Sequence, residues 1–366
     1  LARTASFYAS LREGILIPRW SGNLNWGYGT PILMFVYPLP SYFSSLFLSL
    51  GFSLIDSVKI LMISSFIFSG VFMYLWIKQL WGEKSRFISG ILYLFAPYRF
   101  VDLYVRGALG ECVAFMFLPM ILYFMVKRKF LGISLSLAGL ILSHNMLSLI
   151  FLPVIFGYMI YLIYISPKKM LSVICYLLSA ILGFALSAFF WFSAVFEAKY
   201  TLRDIVTKGA VGGFESFSRL IWSFWSYGGS GEFSVQIGLA QWLLVFMAPL
   251  VIFISWKKKQ SIWVLLLWLM ILFIVSLFFM LPISREIYLN MPFLKNFQFA
   301  WRWLSLAIFP PGVFGAAFIY LLPRKLKVFC VLCLVFCVLW FNKDYWHAYS
   351  FLQKPESFYT KEFLGT

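Results

Sequence analysis

The chain has 366 residues, of which 62% are hydrophobic and only 12% charged. Soluble domains carry roughly 45–50% apolar residues, so the composition excludes a soluble enzyme and a disordered protein and requires a polytopic membrane protein. A net charge of +17 would suggest nucleic acid in a soluble chain, but here the basic residues sit in short loops between apolar runs, and no nucleic acid is expected as a partner.

The chain opens without an initiator Met or a signal peptide, so its start reads as truncated, with a preceding membrane helix expected. Residues 14 to 40 (GILIPRWSGNLNWGYGTPILMFVYPLP) gather Arg19, Trp20, Trp26 and Tyr28 around Gly27 and Gly29. The rings suit an interfacial anchor or a stacking platform for a sugar, and the glycines speak for a backbone held in turns. The run 31 to 53 carries Pro31, Pro38 and Pro40, which break a helix. It reads as an external re-entrant or interfacial element with a short helix from about Ser41, leaving residues 1 to 30 outside; a full span there would put them in the cytoplasm instead.

Apolar runs then follow at 58 to 77, 86 to 97, 112 to 126, 130 to 143, 145 to 165, 170 to 195, 239 to 256, 261 to 281, 303 to 321 and 326 to 341. A spanning helix needs about 20 apolar residues, so 86 to 97 and 130 to 143 are short or tilted. The expected fold is all-α, a transmembrane helical bundle of about 10 spans. Basic residues cluster at Lys84 and Arg86, Lys127 to Lys129, Lys168 and Lys169, Lys257 to Lys259, and Arg324, Lys325 and Lys327. Short basic loops mark the cytoplasmic side. Counting crossings places 98 to 111, 197 to 238 and 282 to 302 outside, with Asp102, Glu111, Glu197, Asp204, Glu215, Glu232 and Glu286 among them. The chain thus divides into an external first loop (1–40), a bundle (41–341) and a tail (342–366) that reads as the cut start of an external extension.

Polar residues concentrate in islands on the external side. In Ala96 to Glu111 (APYRFVDLYVRGALGE), Arg99, Asp102, Arg106 and Glu111 stand between two strongly apolar runs, and ionisable groups at a bundle mouth point to function. Asp102 and Arg106, four apart, would form a weak surface ion pair on a helix. Alternatively Asp102 or Glu111 takes a proton or binds a divalent metal such as Mg or Mn, Asp102 being the metal-ligand candidate, while Arg99 and Arg106 hold phosphate. His144 and Asn145 lie at a turn between two runs and face either a substrate or a neighbouring helix. Gln298 and Arg302, within NFQFAWRW, begin a span, where Arg302 either binds substrate or snorkels to the interface. Phe214, Phe217, Leu220, Ile221, Phe224 and Trp225 recur at helical spacing, which predicts an amphipathic helix in the membrane plane. Cys112, Cys175, Cys330, Cys333 and Cys337 lack partners for a metal or redox motif and read as packing residues. No Gly-rich phosphate loop or hydrolase triad is present.

The order PRW, GYG, YPLP, PYR..DLY.RGALGE, LSHN, SYGGSGEFSVQIG and QFAWRW resembles a bacterial integral membrane family labelled "6-pyruvoyl-tetrahydropterin synthase-related domain", and more distantly the GT-C superfamily of membrane glycosyltransferases. The resemblance covers nearly the whole chain; without a zinc-binding histidine cluster the label carries no pterin chemistry. It implies a GT-C-like fold, a polyprenyl-phosphate sugar as donor, and Asp102 as the second acidic motif. The superfamily's first acidic residue has no match, Glu13 being the nearest candidate and the expected position falling just before Leu1. The function expected is therefore sugar transfer from a polyprenyl-phosphate donor in the membrane lipid to an external envelope acceptor at the bacterial plasma membrane. Asp102 and Glu111 are the expected catalytic carboxylates, and Arg19, Trp20, Tyr28, Arg99, Arg106, His144, Asn145, Gln298 and Arg302 the expected substrate-binding residues. A flippase for a lipid-linked envelope precursor and a non-catalytic assembly protein are the alternatives.

Overall fold

The computed structural model describes residues 1–200, 212–227, 232–291, 294, 297–348, 350 and 354–362. Asp204, Asn296 and residues 228–231 of the SYGGSGEFSVQIG motif lie outside them. The described residues form an all-α bundle whose β content is limited to isolated bridges, such as Ser21 with Thr30. Among the described residues seven helices are long and apolar enough to cross a membrane, which makes this an integral membrane protein.

The first segment is more helical than its sequence suggests. Helix α1 (Ala2–Arg12) packs on α3 (Leu39–Ser49), and Ser6 hydrogen-bonds Ser21 to tie α1 to the hairpin at 18–30. The proline-rich run divides into α2 (Ile32–Phe35) and α3, as expected for a segment whose prolines remove backbone donors. Helix α4 (Leu54–Trp81) starts where the Ser53 hydroxyl accepts the Asp56 N–H at 3.0 Å and stops at Gly82, whose φ of 78° suits glycine. Helix α5 (Glu83–Leu94) returns along it, and the two approach so closely that a Cβ on Gly90 would lie 3.3 Å from the Gly70 carbonyl oxygen. Small residues serve this purpose in membranes, where close backbone approach replaces the hydrophobic driving force.

After Pro97 the chain makes one turn, α6 (Pro97–Phe100), and widens into a π turn at Val101–Val105, closed by Arg106 N–H to Val101 O at 2.9 Å. Then come α7 (Leu109–Val126), α8 (Phe130–Ser143), α9 (Asn145–Ile165) and α10 (Lys169–Leu186). The apolar run expected at 170 to 195 is broken at Ser187, whose hydroxyl bonds back to the carbonyls of Gly183 and Phe184, and restarts as α11 (Ala188–Phe196).

The amphipathic helix expected around Phe214 to Trp225 forms only as α12 (Phe217–Ile221). The chain leaves it because residues 234–237 offer alternative partners: Ile237 N–H bonds Leu220 O, and the Ser223 hydroxyl pairs with Ser234 and accepts the Val235 N–H. Serine side chains compete with helix in this way.

Helices α13 (Leu239–Lys257), α14 (Ile262–Met280), α15 (Ala300–Leu321) and α16 (Arg324–Phe341) complete the bundle. In the apolar window of α15, 83% of residues are buried, against 22% in α10, so α15 is the central helix and α10 a peripheral one. Around α15 pack α5, α13, α14 and α4. Helices α5 and α8, with 12 and 14 residues, fall short of the roughly 20 needed to span.

The basic loops gather at one end of the bundle, where Arg128 donates to Ser166 at 2.8 Å and Tyr161 meets Ser261. The opposite end receives the π turn, the start of α7, the α8–α9 junction and the start of α15. All five cysteines are free.

Candidate functional site

At that opposite end a guanidinium is clasped between two carboxylates. Pro97 starts α6 and the π turn follows, so Asp102 and Arg106 project to the same side as the first turn of α7, which carries Glu111. Arg106 forms an ion pair with Asp102 and a two-pronged pair with Glu111, Nη1 to Oε2 at 2.9 Å and Nη2 to Oε1 at 2.7 Å. The Tyr98 hydroxyl donates to Glu111 Oε2 at 2.8 Å and accepts from Arg106 Nη1 at 3.0 Å. Trp301, from the start of α15, lies under the Arg106 guanidinium at 4.4 Å, a cation–π contact.

His144 joins from the α8–α9 junction. Its Nδ1 accepts the Leu147 N–H at 3.2 Å, capping α9, so the neutral ring carries its proton on Nε2. That atom faces Glu111 Oε1 at 3.7 Å, longer than a hydrogen bond. Burial, against the opposing pull of Glu111, lowers the His144 pKa to about 4. The Tyr37 ring lies 4.8 Å from the imidazole. Gly110 permits this convergence: a Cβ there would collide with the Tyr37 ring and sit 2.7 Å from the Ser143 carbonyl oxygen.

Asp102 is fully buried, which corrects the expectation of a solvated carboxylate in a weak surface pair. Burial, followed by the like charge of Glu111, holds its carboxyl well above the ordinary range although Arg106 opposes this. Its Oδ2 finds no hydrogen-bond partner among the described residues. Arg302 is half-buried on the same side, its guanidinium 5.8 Å from the Trp301 ring and near enough to act on Glu111 and His144. Its Nε is likewise without a partner among the described residues. Two carboxylates thus face two guanidiniums, with Asp102 Oδ2 and Arg302 Nε both buried and without a hydrogen-bond partner among the described residues.

Arg99 makes no hydrogen bond to them, although its charge reaches Asp102. Its guanidinium donates to Ser69 of α4 at 2.8 Å and lies among the rings of Phe66, Tyr93 and Phe115 at 5.2, 5.2 and 4.3 Å. It is a packing cation between α4, α5 and α7, because the turn after Pro97 sends Arg99 and Arg106 in different directions. Trp20 and Tyr28 are exposed on the 18–30 hairpin, where Trp20 covers Gly29, and Arg19 lines a small cavity with Leu33, Tyr42 and Phe190. Asn145 is exposed and accepts the Met146 N–H, while Gln298 contributes its carbonyl to the Gly212 N–H. Among the described residues, none of these is hydrogen-bonded or ion-paired to the Arg106 cluster. Tyr98, Tyr37 and Trp301 belong to it and were not singled out from sequence; Tyr98 and Trp301 stand inside the same PYR and FAWRW motifs, and only their burial distinguishes them from anchor residues.

Arg106 fills the space between the two carboxylates where a Mg or Mn ion would sit, and no group of three metal-ligating side chains occurs among the described residues. Chemically, the cluster can accept a proton at the carboxylate pair and bind an anion at Arg302 and Arg106.

No family model matches the chain. An uncharacterized protein of Lactococcus lactis subsp. cremoris (strain MG1363) is 29% identical over 221 residues, which are 56% of this chain and 36% of that protein. The chain therefore matches little more than a third of that relative's length.

Proposed function

We propose that the protein is a GT-C-like membrane glycosyltransferase that moves a sugar from a polyprenyl-phosphate donor to an envelope acceptor. The observation that carries this reading is the meeting of Asp102, Arg106, Glu111 and His144, four residues from three separate segments, in one buried cluster with Arg302 beside it. A transporter calls for ionisable groups along a path through the bundle, whereas these are gathered at one end. In the proposed orientation the basic loops face the cytoplasm, and the cluster faces the outer leaflet of the bacterial plasma membrane. The short helices α5 and α8, together with α16, bring the proposed count to about ten crossings.

In this reaction the acceptor hydroxyl attacks the anomeric carbon, the bond to the lipid phosphate breaks, and the carboxylate pair takes the hydroxyl proton. Within the pair, Asp102 Oδ2 is the oxygen not bonded to Arg106 and serves as the acceptor. Arg302 and Arg106 balance the charge that develops on the departing phosphate.

One feature favours a second reading. Three of the four carboxylate oxygens of Asp102 and Glu111 are already bonded to Arg106, an arrangement that also suits a structural pin in a non-catalytic assembly protein. Asp102→Asn separates the two. It keeps the two-pronged Arg106–Glu111 pair and so preserves the fold. In a transfer assay with radiolabelled polyprenyl-phosphate sugars, loss of proton acceptance lowers the rate by about 100-fold or more. A folded Asn variant with the parental transfer rate refutes the catalytic role, and an absence of transfer across the donor panel refutes the enzyme reading.

A further inference from the structure

Packing alone does not account for the burial of Arg99. The side chain is 2% exposed. Its guanidinium donates through Nη2 to Ser69 Oγ at 2.8 Å, and Nη1 has no partner among the described residues. The rings of Phe66, Tyr93 and Phe115 and one hydroxyl do not neutralise a unit charge taken out of water, because cation–π contacts return much less than the desolvation costs. A buried guanidinium therefore calls for a counter-charge.

Tyr93 of α5, Cys112 of α7 and Asp102 act on it electrostatically. A phenol and a thiol are neutral at neutral pH, so Asp102 is the carboxylate among them. The two residues are three apart where α6 runs on into the π turn, and positions three apart share a helix face. Asp102 gives Oδ1 to Arg106, while its Oδ2 is buried and without a partner among the described residues. A buried N–H and a buried oxygen of opposite charge, each unpaired, thus belong to one face of one turn.

The count of charges leads to the same pair. Asp102, Arg106 and Glu111 together carry one surplus negative charge, with His144 neutral. Arg99 brings the buried set to two cations and two carboxylates. Tyr98 and Cys112 adjoin Asp102 as neutral groups, and Arg302 acts on Glu111 and His144 from its half-buried position. Were Asp102 protonated at rest, Arg99 would be left as an unpaired buried cation. We infer that Arg99 is a positioning residue for Asp102, holding Asp102 Oδ2 as an ionised proton acceptor from the ring-lined side of the turn. That role rests on the reading of Asp102 as the acceptor in the proposed transfer, whereas the coupling of the two side chains stands without it.

Thermal unfolding of the full chain in detergent at neutral pH tests the coupling, with Arg99→Met, Asp102→Asn and the double variant. Each single variant leaves one buried charge without its partner, so each should melt below the parent. The double variant should melt well above the sum of the two drops, with a coupling of about tenfold in the unfolding equilibrium constant. Arg99→Lys keeps the charge and should keep most of that coupling. The pH at which Asp102 titrates, followed by the infrared carboxyl band that Asp102→Asn removes, should rise in Arg99→Met and stay near the parental value in Arg99→Lys. A guanidinium that serves packing alone gives additive drops and an unmoved titration, and either result overturns the inference. If Arg99→Met does not fold, a folded double variant supports the inference and a double variant that also fails to fold overturns it. Absence of transfer by the parent refutes the enzyme reading and leaves the coupling intact, while lost coupling removes Arg99 from the site and leaves the enzyme reading intact.

Discussion

Replacing Arg106 by Met keeps the bulk of the side chain against Trp301 and removes only its charge and donors. Asp102 and Glu111 are 0% and 1% exposed, so the variant leaves two buried carboxylates facing one another without a cation between them. Removing one partner from a buried ion pair costs about 3–5 kcal/mol, a large share of the roughly 5–15 kcal/mol that holds a typical domain together. Arg106 is itself 18% exposed, which places the expected loss toward the lower end. The deficit depends on pH. The Asp102 carboxyl lies above its unfolded value already and rises further without Arg106, so its contribution favours the fold at acid pH and is lost as pH rises through the folded value. Thermal unfolding of the full chain in detergent should therefore show a clear drop in midpoint at neutral pH and a smaller one at acid pH. Adding Asp102→Asn and Glu111→Gln should return most of the loss, because neutral amides need no counterion. A single variant that melts with the parent, or a triple variant that stays as unstable as the single one, refutes the account of Arg106 as the charge that makes this burial possible.

Two further outcomes follow from the same geometry. His144 has a pKa lowered to about 4 from an unfolded value of about 6.5, so its contribution is present above the unfolded value and is lost as pH falls toward about 4, on the order of 3 kcal/mol. His144→Asn retains an acceptor for the Leu147 N–H and should abolish that acid-side loss in melting curves; an unchanged acid limb refutes the assignment. For orientation, single cysteines in a cysteine-free background at Phe224 and Ile283, which are 77% and 74% exposed, should react with an impermeant thiol reagent in intact cells, while those at Arg128, Lys258 and Lys325 should not. Reversed labelling inverts the proposed topology.

Composition and the spacing of apolar runs were sufficient to read an all-α membrane bundle, because burying backbone in lipid leaves helices as the economical way for such runs to satisfy their hydrogen bonds. The basic loops and the polar islands were legible for the same reason: charge is kept out of the apolar spans and collects at helix ends. Sequence could also mark Asp102, Arg106, Glu111, His144 and Arg302 as residues at such ends. Their assembly depended on tertiary structure. The turn after Pro97 sends Arg99 into the rings between α4, α5 and α7 and Arg106 to the carboxylates, although both arginines belong to one motif and looked equivalent. Burial of Asp102 is set by Tyr98, Arg106 and the start of α7 folding around it after the π turn, a closure that apolar periodicity does not encode. The short α12 has the same cause, since the hydroxyls of Ser223 and Ser234 found each other across a loop and outweighed a helical periodicity that was present in the sequence. Periodicity reports which face of a segment avoids water; only the neighbours supplied by the rest of the fold determine which polar group that face must satisfy.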